Sequence, residues 1–234
     1  AGRPLAEGDL AAAADALGLA PAPDPEVRRR VALHEAGHLP VAHLVGLPAA
    51  TSVRLTVDGG LVSRPTPQFL TPTVVRALLR QHLAGRAAEK LFHAEVSSGA
   101  GGGAETDLAQ ATRLAVAAEV SLGLGDTLAW GPAHGDVRLL PADLRDRVER
   151  TLRDAEADAL ALLSPRRPAL ERLADVLIAR RELDASAIAE LLAEVDLVAA
   201  PRPDAAAEPP EPTPTDPPPA EDGPTTSCAP ASGM

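Results

Sequence analysis

The sequence predicts a mainly α-helical domain that carries one small edge strand or hairpin. Three observations point there. Ala and Leu dominate a chain that is 45% hydrophobic but only 1% aromatic, and both are strong helix formers while the β-preferring aromatics are nearly absent. Leu144, Val148, Leu152, Ala155, Ala159 and Leu162 recur at helical spacing and put one apolar face on residues 142–163. Only one convincing stretch, Thr51 to Val57, alternates and is β-branched in the manner of a strand.

Taken in order, residues 1–25 form an N-terminal segment with an Ala-rich helical stretch and a linker, Ala20 to Pro25, whose three prolines forbid a helix. A helix then starts near Pro25 or Glu26 with Asp24 as its cap. Its apolar positions Val31, Leu33 and Ala36 suit a buried helix, and Pro40 predicts a kink, because it removes an amide donor and crowds the Ala36 carbonyl. The strand Thr51–Val57 turns at Asp58-Gly59-Gly60, and Leu61-Val62-Ser63 can pair back on it. Thr71-Pro72-Thr73 opens a long helix to about Phe92, with a break or bend expected near Gly85. A Gly-rich loop, Ser97 to Gly103, leads to a helix from Asp107 to about Leu122, capped by Glu105 or Thr106. After the amphipathic helix at 142–163, residues 169–181 and 186–197 form two more helices. The compact domain is expected to span residues 26–199. Beyond it, residues 200–234 hold six acidic residues and many prolines and read as a disordered acidic tail.

Composition also excludes. The net charge of −11 argues against nucleic acid as a partner. The single cysteine, Cys228, rules out an intramolecular disulfide and any cysteine-based zinc site. No apolar run reaches the length of a membrane span, and no signal-peptide pattern is visible. The chain opens at Ala1, which suggests a piece of something longer.

The chemistry concentrates in His34-Glu35-Ala36-Gly37-His38. Two histidines four apart lie on one helix face, one turn apart, so both imidazoles can reach one metal ion. Glu35, beside the first, can take a proton from a water held by that metal. A catalytic zinc normally takes three protein ligands and leaves a position for water. The third must come from outside the helix: Asp107, Glu89, Glu105, Glu119, His82, His93 and His43 are the candidates.

The blocks that follow the motif carry a resemblance. Leu83-Ala84-Gly85-Arg86-Ala87-Ala88-Glu89-Lys90-Leu91-Phe92, then Val96-Ser97-Ser98-Gly99-Ala100, then Thr106-Asp107-Leu108-Ala109-Gln110-Ala111-Thr112 and Gly123-Leu124-Gly125-Asp126 resemble the proteolytic domain of FtsH-type AAA proteases. The late helices, with Arg181 to Ile188, fit as well, so the similarity covers about residues 26–195. Residues 1–20 resemble the end of the ATPase lid that precedes that domain. The resemblance implies that His34, His38 and Asp107 hold one Zn2+ and that Glu35 is the catalytic base. It places Glu89 near the metal, where it orients a histidine. An acid at the start of a helix is also favoured by the helix dipole, which suits Asp107. The sequence departs from the family at Pro40 and in a Gly-rich loop about two residues longer than usual. It has no Gly-x-x-x-x-Gly-Lys-Ser/Thr loop, so ATP would act only through an ATPase module absent from this chain.

These readings together predict a zinc endopeptidase that hydrolyses unfolded polypeptides, with the substrate lying along Ser52, Val53, Arg54, Leu55, Thr56 and Val57 by strand addition. The resemblance further implies a homo-oligomeric, six-membered ring on the cytoplasmic side, with a membrane anchor and ATPase outside this chain. Two other readings compete: a protease-like scaffold that binds without cleaving, which the intact Glu35 opposes, and a zinc hydrolase of small amides, which would need a deep closed pocket.

Overall fold

The computed structural model describes residues 24–56, 59–133 and 136–196. The expected N-terminal segment up to residue 23 and the tail from residue 200 lie outside the described residues, as does Val57. Among the described residues, six α-helices and three short strands follow in the order α1 (Pro25–Leu44), β1 (Ser52–Leu55), β2 (Gly60–Ser63), α2 (Pro72–His93), α3 (Asp107–Val120), α4 (Ala142–Leu163), α5 (Arg167–Arg180), β3 (Glu182–Asp184) and α6 (Ala185–Asp196). The predicted mainly α fold is therefore the observed one.

Caps fall where the side chains allow. Asp24 accepts the amide of Glu26 at the start of α1, with Pro25 in the first turn, and Thr71 accepts the amide of Val74 at the start of α2. Thr106 occupies the cap position of α3 without a side-chain cap bond; its hydroxyl donates instead to the Gly103 carbonyl at 2.8 Å. Neither residue ends its helix: α1 continues through Pro40 and α2 through Gly85. Both sites are buried among neighbouring helices, and that packing outweighs a missing donor or an entropic cost of about 1 kcal/mol.

Helix α1 is the hub. Every residue from Ala32 to Ala42 is buried, so it is enclosed on all sides rather than amphipathic. On one side Leu33, Ala36 and Leu39 pack with Val53, Leu173, Leu177, Leu183 and Ile188 of β1, α5, β3 and α6. On another, Val41 joins Ala84, Ala87 and Ala88 of α2 and Leu162, Leu163 and Leu170 of α4 and α5. Here the backbones of α1 and α2 come very close: a Cβ on Gly37 would sit 2.7 Å from the Ala84 carbonyl oxygen and 2.8 Å from the Ala88 Cβ. A third core joins α2, α3 and α4 through Leu79, Leu83, Ala115, Val116 and Val148. Ion pairs run along the α2–α4 seam, from Arg80 to Asp158 at 2.7 Å and from Arg86 to Glu156 at 2.7 Å.

The sheet corrects one expectation. The strand order is β2-β1-β3, antiparallel throughout, with Val53 opposite both Val62 and Leu183. The third strand went unrecognised in the sequence because Glu182-Leu183-Asp184 is short and lies between two helices. Its presence makes β1 the central strand. The backbone of Ser52, Val53 and Arg54 is paired on both sides, and Leu55 donates to the Arg181 carbonyl at 2.8 Å. Ser52–Leu55 therefore has no open edge for a substrate strand, and Thr56 is bonded to Gly59. The open edges belong to β2 and β3, each of which has β1 as its only strand partner among the described residues; of the two, β2 lines the cleft that holds His34 and Glu35.

Candidate metal centre

The site is built where α1 lies against α2 and the start of α3. His34, His38 and Asp107 each offer a ligand atom, and these atoms lie within 4.8 Å of one another. Nε2 of His34 is 3.0 Å and Nε2 of His38 is 3.3 Å from the same Asp107 oxygen, Oδ2. The other nitrogen of each ring is already engaged. His34 Nδ1 donates to Glu89 Oε1 at 2.8 Å, and His38 Nδ1 donates to the Gln81 carbonyl at 2.7 Å. These bonds fix the tautomers and rings so that both Nε2 atoms converge with a carboxylate, as a metal-binding triad requires. Two imidazole nitrogens and one carboxylate oxygen suit zinc.

Glu89 is almost wholly buried and well satisfied: its Oε2 accepts the Ser97 amide at 2.7 Å and faces Arg30 at 3.4 Å. Burial alone would raise its pKa, yet the His34 and Ser97 bonds hold it down at about 2. Asp107 is likewise held far below the ordinary carboxylate range: burial opposes its charge, but His38 and the bonds from His34 override it. Burial would lower the pKa of His34, but the Asp107 and Glu89 carboxylates push it up to about 9.

Glu35, one residue along, also lines the cleft. Burial raises its pKa, against the pull of His38 and His34, which makes it a better base than an exposed glutamate. Two glycines fit around these side chains. A Cβ on Gly60 would lie 2.2 Å from Glu35 Cγ, and one on Gly85 would lie 2.3 Å from His34 Nε2. Sequence reasoning did not assign either residue to the site. Their signal was a glycine inside the Ala-rich helix α2 and another at the start of β2, each costly unless something approaches closely.

Of the other ligand candidates, His82 comes nearest, with Nδ1 3.8 Å from Asp107 Oδ1 and no hydrogen-bond partner for that nitrogen. Glu105 lies on the rim of the cleft, Glu119 pairs with Arg147 at 3.2 Å, and His43 is exposed. His93 stands outside the cluster as well.

The cleft measures about 1340 Å³ and runs from α1 past β2 and the Arg64–Gln68 loop to α3. Its rim is thus formed by the open-edged strand β2, while none of Ser52 to Thr56 lines it. No described helix is long and apolar enough to cross a membrane.

Known proteins are similar to this chain in sequence. A zinc metalloprotease of Sorangium cellulosum, ATP-dependent zinc metalloprotease FtsH 4, is 28% identical over 70% of this chain and 28% of its own length. The ATP-dependent zinc metalloprotease FtsH of Veillonella parvula is 30% identical over 70% of the chain and 28% of its own. That of Thermobaculum terrenum is 32% identical over 71% and 29%. The chain therefore spans less than a third of the length of these relatives. A sequence model of peptidase family M41 matches residues 22–191, which include α1 with its histidines, Asp107 and all three strands, and the chain belongs to that family as an FtsH-type metallopeptidase domain.

Proposed function

We propose that this domain is a zinc-dependent endopeptidase acting on unfolded polypeptides. The observation that carries the reading is the convergence of His34 Nε2, His38 Nε2 and Asp107 Oδ2 beside Glu35, in a cleft rimmed by an open strand edge. Zinc held by His34, His38 and Asp107 would supply Lewis acidity to a water and to the scissile carbonyl. Glu35 takes the proton of the attacking water on its carboxylate and passes it to the departing amide nitrogen, which leaves as an amine. Glu89 and the Gln81 carbonyl hold the two rings in register throughout.

The substrate backbone pairs with the outer edge of β2 rather than with β1, since β2 is an edge strand that lines the cleft and β1 is paired on both sides. A site of about 1340 Å³ exceeds the 300–1,000 Å³ or so usual for small molecules, which favours a polypeptide over a small amide. The relatives' printed names, ATP-dependent zinc metalloprotease, support ATP-dependent action of a longer protein; an AAA ATPase module and a membrane-anchored homo-oligomeric ring of six belong to this proposal on the family resemblance alone.

The test is cleavage of unfolded casein by the zinc-loaded chain and its Glu35→Gln variant, with zinc content measured on both. Cleavage by the parent, with loss of activity but full zinc in the variant, is the expected result. Activity near that of the parent in Glu35→Gln would remove Glu35 from its role, and an inert parent with full zinc would favour the binding scaffold.

A further inference from the structure

Arg64 follows directly after β2 and lines the cleft. The residue is half-buried, but both terminal guanidinium nitrogens are enclosed and have no hydrogen-bond partner among the described residues. Burial pushes its pKa down. Arg30 of α1, which also lines the cleft, behaves differently: it faces Glu89 at 3.4 Å and Glu95 at 3.5 Å. A planar fork of enclosed donors without a partner is costly unless an anion meets it.

The position of Arg64 along the strand says where such an anion would come from. Gly60, against Glu35, marks the catalytic end of β2, and Arg64 lies four residues on, roughly 13 Å at strand rise. A peptide paired with the outer edge of β2 and reacting beside Glu35 would bring a residue about four positions from the scissile bond alongside Arg64. We propose that Arg64 is a specificity-determining residue that pairs with a carboxylate of the bound polypeptide about four residues from the cleaved bond. This rests on the endopeptidase reading for the placement of the peptide. The guanidinium swings on its flexible stem to meet the carboxylate as a two-pronged pair, which relieves its own desolvation. The carboxylate comes either from an Asp or Glu side chain or from the substrate's C-terminus.

The test measures binding to the zinc-loaded chain carrying Glu35→Gln, by fluorescence anisotropy of labelled twelve-residue peptides. One pair has an amidated C-terminus and Glu or Gln at both flanking positions. A third peptide is neutral with a free C-terminal carboxylate near the same place, and a fourth carries Lys at the flanks. The Glu peptide should bind at least tenfold more tightly than the Gln peptide. Arg64→Gln should cut that preference below threefold, and Arg64→Glu should turn it toward the Lys peptide. Tight binding of the third peptide instead would assign the pair to the substrate terminus. Equal binding of the Glu, Gln and free-terminus peptides, no binding at all, or a preference that survives Arg64→Gln overturns the proposal; the peptide comparison on the Arg64-containing chain stands even if a variant misfolds. Hydrolysis of the Gln peptide by the chain with Glu35 intact is followed in parallel. Cleavage without any acid preference sinks Arg64 alone, while acid preference without cleavage sinks the endopeptidase reading alone.

Discussion

Replacing Gly85 with Ala puts one methyl group into the metal centre, and its effect can be worked out from the distances. The added Cβ would lie 2.3 Å from Nε2, 2.4 Å from Cδ2 and 2.6 Å from Cε1 of His34. Ordinary contact begins near 3.4 Å, so the ring edge must retreat by roughly 1 Å. It has little room to do so, because His34 is buried and its Nδ1 is tied to Glu89 at 2.8 Å. Metal–ligand distances tolerate only about 0.2 Å, so the shift removes His34 from the ligand set. Loss of a supporting hydrogen bond alone costs about 10–100-fold in metal affinity; loss of a ligand should exceed 100-fold. Folding stability should change far less. Overpacking costs about 1–3 kcal/mol, and Ala in mid-helix recovers about 1 kcal/mol relative to Gly. Zinc affinity is read by competition with a chromogenic chelator, and stability by urea unfolding in chelator. A Gly85→Ala variant that holds zinc within threefold of wild type would refute the close-approach argument.

Three further outcomes follow from the same geometry. Asp107→Ala should weaken zinc binding by well over 100-fold while Glu89→Ala weakens it by about 10–100-fold; in side-by-side titrations, the reverse order would exchange their roles. Zinc affinity should rise with pH up to about 9, because the metal must displace the proton that Asp107 and Glu89 hold on His34; calorimetry in buffers of different ionisation enthalpy measures the released proton. The folded pKa of His34 lies above its unfolded value near 6.5, so its stabilisation of the metal-free chain is complete below pH 6.5 and is lost as pH rises toward 9. Urea midpoints of the stripped protein should therefore fall across that window. Asp107 and Glu89, both held low, stay ionised through it and add no opposing slope.

The sequence by itself determined the helices, the metal motif and the family. Helical periodicity is local, so residues 142–163 declared both their length and their buried face. The spacing of His34 and His38 is likewise a property of one helix. Asp107 and Glu89 were singled out from the seven ligand candidates by ordered blocks that resemble a family, since no local rule says that residues 55 and 73 positions after His34 meet it.

Tertiary structure decided the rest, for reasons that lie in pairing and contact. A strand's edge is open or closed according to what lies beside it, and the partner of Ser52–Arg54 is a three-residue strand some 130 positions later. Without β3, β1 reads as the rim; with it, the rim moves to β2 and brings Arg64 to the cleft. Gly37, Gly60 and Gly85 show the same division. The sequence shows that a side chain is missing, but only the folded chain shows that Ala84, Glu35 and His34 occupy the space a side chain would have taken, because close packing is a relation between elements and leaves no periodic trace in either one.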